Sequence, residues 1–230
     1  MTHPRPSPPA PPLSSPDLLH PTLLWLIRHA EVEPRYQSIF GGRIDMALSA
    51  RGHEQAAALA AYVTRQPFAV LYASPMTRVQ QTLAPMLNDG LKVTVLPELQ
   101  EVDFGEWTGL SWEEVQKQFG ISAFSWLEQL ENNGIAKAEG AESLRQRLQP
   151  CLEGILQRHP GQQVAILCHG GVIRMLLAIL LKRKFSAMAP FEIEYASITK
   201  VRWTPNRVRL ELVNFAPWRD LPAAHAPRPA

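Results

Sequence analysis

Three short apolar runs constrain this chain more than anything else in it. LLWLI (23–27), FAVLY (68–72) and VAIL (164–167) lack the polar alternation of a half-exposed strand. A strand with one wet face alternates, whereas a strand covered on both faces does not. These runs therefore predict parallel strands buried between two layers of helices. The segments between them agree. Residues 49–65 carry Ala56, Leu59, Ala60 and Val63 at the i, i+3, i+4, i+7 spacing of an amphipathic helix. A second helix is expected over 75–87, with Ser74 as N-cap and Pro75 at the first helical position. A third, from Ala141 to about Arg158, leads into the third buried run. LKVTVLP (91–97) predicts a fourth strand, while ASITKVRW and RVRLELVNF alternate better and read as antiparallel edge strands. The expected fold class is α/β: three layers, with a mostly parallel sheet flanked by helices.

Residues 104–140 interrupt this alternation. They are mainly helical in pattern and rich in Trp and Phe, and they read as a small inserted helical cap. Residues 1–21 are rich in Pro, and the end of the chain is rich in Pro and Ala. Such segments bury too little apolar area to order themselves. The expected organisation is a Pro-rich disordered tail over 1–21, one domain over 22–216, and a second tail over 217–230.

Several function classes recede on composition. The net charge is +2, and the densest basic cluster, Lys182-Arg183-Lys184, follows an apolar helical run. Cations there complement a helix C-terminus rather than form a nucleic-acid patch. No run is long enough to span a bilayer, and the N-terminus lacks the basic and apolar regions of a secretory signal. Two cysteines, far apart and outside any metal-type spacing, argue against a disulfide scaffold and suit a reducing compartment. A cytoplasmic protein is expected, with no nucleic-acid or membrane partner and no cofactor or metal. The sequence sets no oligomeric state.

In open α/β sheets, ligands bind beyond the carboxyl ends of the strands. The first strand ends in Arg28-His29-Ala30-Glu31, the second in Ser74-Pro75 with Arg78 close behind, and the third in Cys168-His169-Gly170-Gly171. Two arginines and two histidines would share one rim. Arginine offers a planar fork of donors that matches phosphate oxygens, and a glycine-rich helix start accepts an anion. A small phosphorylated metabolite is the expected partner. Two nucleophiles remain open on residues alone. CHGGVIR (168–174) fits Cys-x-x-Gly-x-x-Arg, the loop of cysteine phosphatases, with Cys168 attacking. However, Leu167 stands where that loop has His, Met175 stands where it has a hydroxyl, and Arg28-His29 would have no task. Without that mechanism, Cys168 is a small buried residue closing its strand, and Arg174 lies on the following helix with a structural partner.

These residues carry a resemblance. LIRHAE, ASPMTRVQQT, LQEVDFGEWTG, CHGGVIR and GGRIDMALSARGHEQA resemble, in family order, the motifs of the histidine phosphatase superfamily. The resemblance implies a phosphatase that works through phosphohistidine. It implies His29 as nucleophile, Arg28 and Arg78 as phosphate clamp, and His169 as a second histidine on the phosphate. It also implies Glu101 as acid to the leaving oxygen and later base for water. Glu98 and Asp103 lie close enough to Glu101 in sequence to compete for that role. Departures are Ala30 for Gly, Gly41 for Gln, Ala47 for Pro and Thr108 for Glu. Glu33-Pro34-Arg35 stands where mutases have Trp-Asn, and Glu-Val-Asp-Phe-Gly replaces their Glu-Arg-His-Tyr-Gly, which favours hydrolysis over phosphoryl transfer to a second metabolite. A mutase and a silent binding protein of the same fold are the alternatives. The Arg-His-Ala-Glu-Val-Glu start and short cap resemble alpha-ribazole phosphatases of this family.

Overall fold

The computed structural model describes residues 20–87 and 90–222. Apart from its last two residues, the Pro-rich segment 1–21 lies outside the described residues, as does 223–230.

Six strands form one sheet: β1 (Thr22–Arg28), β2 (Phe68–Ala73), β3 (Val93–Val95), β4 (Gln163–Cys168), β5 (Ile198–Thr204) and β6 (Arg207–Phe215). Their order is β3-β2-β4-β1-β5-β6. The first four are parallel, and β5 and β6 join antiparallel. The unalternating runs are explained by two cores. Leu24 and Leu26 of β1 point into one, Trp25 and Ile27 into the other. In β4, Val164, Ile166 and Cys168 face the first core, while Ala165 and Leu167 face the second. Helices α5 (Ala141–Arg158) and α6 (Gly170–Leu180) cover one face. Helices α1 (Ala50–Val63) and α2 (Thr77–Leu83) cover the other. Between β3 and α5 run α3 (Trp112–Phe119) and α4 (Trp126–Glu131), each preceded by short 3-10 turns. Among the described residues no helix is long and apolar enough to cross a membrane.

Three sequence expectations change. The second helix begins at Thr77, not Pro75. The Ser74 hydroxyl bonds a histidine instead of capping, and Asp45 takes over the helix start by accepting from Thr77 N and Thr77 Oγ1. Only β6 is an edge among the antiparallel strands, because β5 is paired on both sides. The chain also stays folded past 216. Pro217–Asp220 forms α7, and Trp218 packs into the core beneath α1 and donates its indole N–H to Tyr195 O at 2.9 Å. The half-buried indole adds its apolar area to that of the buried Ala216 and Pro217.

Candidate active site

The carboxyl ends of β1, β2 and β4 open onto a cavity of ≈ 530 Å³. Arg28, His29, Arg78 and Glu101 all line it, at the position the strand-end rule foresees.

His29 sits just past β1 and is 4% exposed. Its backbone is tied on both sides, with His29 N donating to Cys168 O and Ala196 N donating to His29 O. Its Nδ1 lies 2.8 Å from Ala30 O, so Nδ1 carries the proton and donates it there. The lone pair is thereby left on Nε2. Arg78 Nε–H points at that atom from 3.2 Å and at Nδ1 of His169 from the same distance. With Nδ1 accepting, His169 Nε2 donates to Ser74 Oγ at 2.8 Å. Each ring thus has one tautomer that satisfies its neighbours. Burial is the main cause that lowers both imidazoles well below their usual range, followed by the positive charge of Arg78. Both rings are neutral at pH 7.

Arg78 is buried, and its remaining nitrogens donate to Ile44 O and Gly42 O at 2.9 Å each. The Gly-Gly-Arg-Ile-Asp loop therefore fixes the guanidinium from outside. Arg28 donates to Ile193 O at 2.7 Å and lies 4.0 Å over the Tyr195 ring, while its Nε has no partner. Among the described residues neither arginine has a carboxylate ion-pair partner. The result is a positive site with no carboxylate in direct contact, where Glu101 and Asp45 supply only part of the countercharge and an anion would supply the rest.

Glu101 is held at the start of α6. One carboxylate oxygen accepts from Val102 N at 3.0 Å and Val172 N at 3.3 Å, the other from Gly171 N at 3.3 Å. A Cβ on Gly171 would lie 2.7 Å from Glu101 Oε1. The second glycine of the pair thus makes room for this carboxylate, whereas the sequence suggested room for a ligand. Of the three competing acids, only Glu101 lines the cavity. Asp103 accepts from Gly105 N within its own turn, and Glu98 is exposed. His169 is fully buried and stands behind Arg78 rather than in the cavity wall.

Cys168 is fully buried in the first core, and burial drives its thiol far above the usual range. A thiol in that state is no nucleophile. Arg174 does lie on α6 with structural partners, Gly170 O and Phe191 O, but it also lines the cavity. Burial, then Arg28, lowers it to about 10. Sequence reasoning missed Ser74 as a partner of His169 and Tyr195 as a platform for Arg28. Ser74 and His169 are 95 residues apart, so no local pattern joins them. Among the described residues no three His, Cys, Asp or Glu side chains gather as a metal site would.

A model of the histidine phosphatase superfamily (branch 1) matches residues 24–216. The chain belongs to that superfamily. Among its relatives is the adenosylcobalamin/alpha-ribazole phosphatase of Escherichia coli strain K12. The two are 27% identical over 172 residues, 74% of this chain and 85% of that protein. Phosphoserine phosphatase 1 of Hydrogenobacter thermophilus is 29% identical over 185 residues, 80% of this chain and 88% of its own. The crystal structure of the alpha-ribazole phosphatase from Shigella flexneri superposes with a TM-score of 0.72 at 25% identity. The match covers 84% of this chain and 96% of that one. Membership of this superfamily accounts for the fold.

Proposed function

We propose that this chain hydrolyses a small phosphomonoester through a phosphohistidine at His29. The observation that carries this reading is the His29 ring: Nδ1 is pinned to Ala30 O, which leaves the Nε2 lone pair at a cavity with two arginines that no carboxylate contacts directly. In this scheme Nε2 attacks phosphorus, and Arg28 and Arg78 neutralise the oxygens of the transferring group. His169 and Ser74 hold Arg78 in place and stabilise the charge that develops. Glu101 gives a proton to the leaving oxygen, then takes one from the water that cleaves the phosphoimidazole. Every proton is moved by a side chain of this chain, and no step calls for a metal.

Relatives with alpha-ribazole phosphatase and phosphoserine phosphatase activities in their names support hydrolysis, and they differ in the alcohol they release. The resemblance of the opening motif and cap points toward the alpha-ribazole type. The test is to quench turnover rapidly, hold the protein under alkaline conditions and map the phosphorylated residue by mass spectrometry. Phosphate on His29 is expected, with His29→Ala losing at least about 10³-fold in kcat/KM. Phosphate on Cys168, or an undiminished rate in His29→Ala, would overturn the reading.

A further inference from the structure

The cavity has two chemically different ends. One is the charged clamp. The other is supplied by the segment between β3 and α5, which contributes Phe104, Trp112, Ala123, Phe124, Trp126 and Leu127. None of these side chains carries a charge, a hydroxyl or an amide.

Two of them are conspicuously open. Trp112 is 45% exposed and Phe124 is 75% exposed, yet their rings meet edge-to-face at 4.9 Å. They are also firmly placed. Trp112 is the first residue of α3, behind a capping box in which Ser111 and Glu114 satisfy each other's backbone. Phe124 sits in a 3-10 turn whose start is capped by Ser122. Trp126 is wedged edge-on between Phe104, at 5.5 Å, and Phe185, at 5.8 Å. Open aromatic rings on a fixed frame, continuous with a charged clamp, form a preorganised receptor for another ring. Apart from the indole N–H groups of Trp112 and Trp126, this wall returns no hydrogen bond to the polar groups that a serine or sugar alcohol would desolvate against it.

We propose that Trp112, Phe124 and Trp126 form a ring-binding subsite, so that the substrate is a phosphomonoester whose alcohol carries an aryl or heteroaryl group. This rests on the phosphatase reading and adds which part of the substrate the cap selects. Phenolic esters would confuse the test, because a phenol leaves more easily than an alkanol. The esters to compare are propyl, 3-phenylpropyl and 3-cyclohexylpropyl phosphate, whose leaving alkoxides are nearly alike.

In the wild-type protein, kcat/KM for the phenylpropyl ester should exceed that for the propyl ester by about tenfold, the size of one good ring contact. The cyclohexyl ester, equally apolar but not flat, should gain less. In Trp112→Ala/Phe124→Ala the phenylpropyl-to-propyl ratio should fall to within about threefold of unity. Both positions are open to solvent, so the fold tolerates the change, and each ratio is taken within one protein preparation. Equal values for all three esters, an equal gain for the cyclohexyl ester, or a ratio that survives the double substitution would overturn the ring subsite while leaving the phosphatase intact. Release of phosphate from none of the esters would overturn the phosphatase reading, and this inference with it.

Discussion

Gly171→Ala should disable the acid without touching it. The Cβ it adds would lie 2.7 Å from Glu101 Oε1 and 2.8 Å from Val102 Cγ2, where ordinary contact begins near 3.4 Å. The carboxylate must retreat by about 0.7 Å, and its bonds to Gly171 N and Val172 N, already 3.3 Å, then pass out of range. A misplacement approaching 1 Å costs up to about 10²-fold in a positioned group. Loss of the acid altogether costs roughly 10²–10⁴-fold. We therefore expect kcat/KM for an alkyl phosphate to fall about 10- to 100-fold. An ester such as p-nitrophenyl phosphate, whose phenolate leaves without a proton, should fall less than about threefold. Stability should fall by about 1–3 kcal/mol, because the new Cβ also crowds the fully buried Val102 side chain, partly offset by the gain of about 0.5–1 kcal/mol of alanine over glycine within a helix. The assay is a leaving-group series in both proteins, with thermal unfolding as control. Equal losses for the alkyl and nitrophenyl esters would refute the assignment of Glu101 as acid. So would no loss for either.

Tyr195→Leu removes the ring beneath Arg28, and a cation–π contact is worth roughly 0.5–2 kcal/mol. The KM for a phosphate ester, and Ki for inorganic phosphate, should rise about two- to thirtyfold; Tyr195→Phe should restore both, and equal effects of Leu and Phe would refute the contact. The folded protein favours neutral His29 and His169, so the unfolded chain takes up protons first, near its ordinary value of about 6.5. That stability is present above pH 6.5 and is lost as pH falls from there toward the lowered folded values. Denaturant midpoints should decline between pH 7 and 5, and a flat profile would contradict the burial of the two rings. Cys168→Ala should keep kcat/KM within about threefold, and iodoacetamide should leave the native enzyme active, because the thiol is buried and un-ionised. Inactivation that follows alkylation of Cys168 would revive the cysteine mechanism.

The strands were legible because burial on both faces writes itself into a run of five or six residues. Helix α1 was legible for a similar reason: Ser49 accepts from Gly52 N, and its apolar stripe faces the sheet. Where a side chain's partner is distant, local rules mislead. Ser74 looks like a cap and is spent on His169, while the true cap, Asp45, lies 32 residues away. The strand-end residues of the site could be found because topology puts strand ends together. Tyr195 and the cap aromatics could not be assigned a place, since no strand end or motif spacing marks which of eighteen aromatic residues reach the cavity. Trp218 falls in the segment expected to be a tail, yet it packs against the second core beside a buried Pro217.

The strand order also governs how the chain is born. β1 and β2 emerge first but share no hydrogen bond, because β4 lies between them and pairs with both. β4 begins 135 residues after β1 ends. At a synthesis rate of roughly 5–20 residues per second, β1 waits about 7–27 s for β4. During that interval β1 has neither of its sheet neighbours, β4 and β5, and an apolar strand with two unpaired edges is the condition that recruits chaperones or seeds aggregates. His29 and His169 sit on either side of the β1–β4 seam. His29 therefore meets His169 only when β4 pairs with β1, and a chain stalled before β4 carries no assembled site.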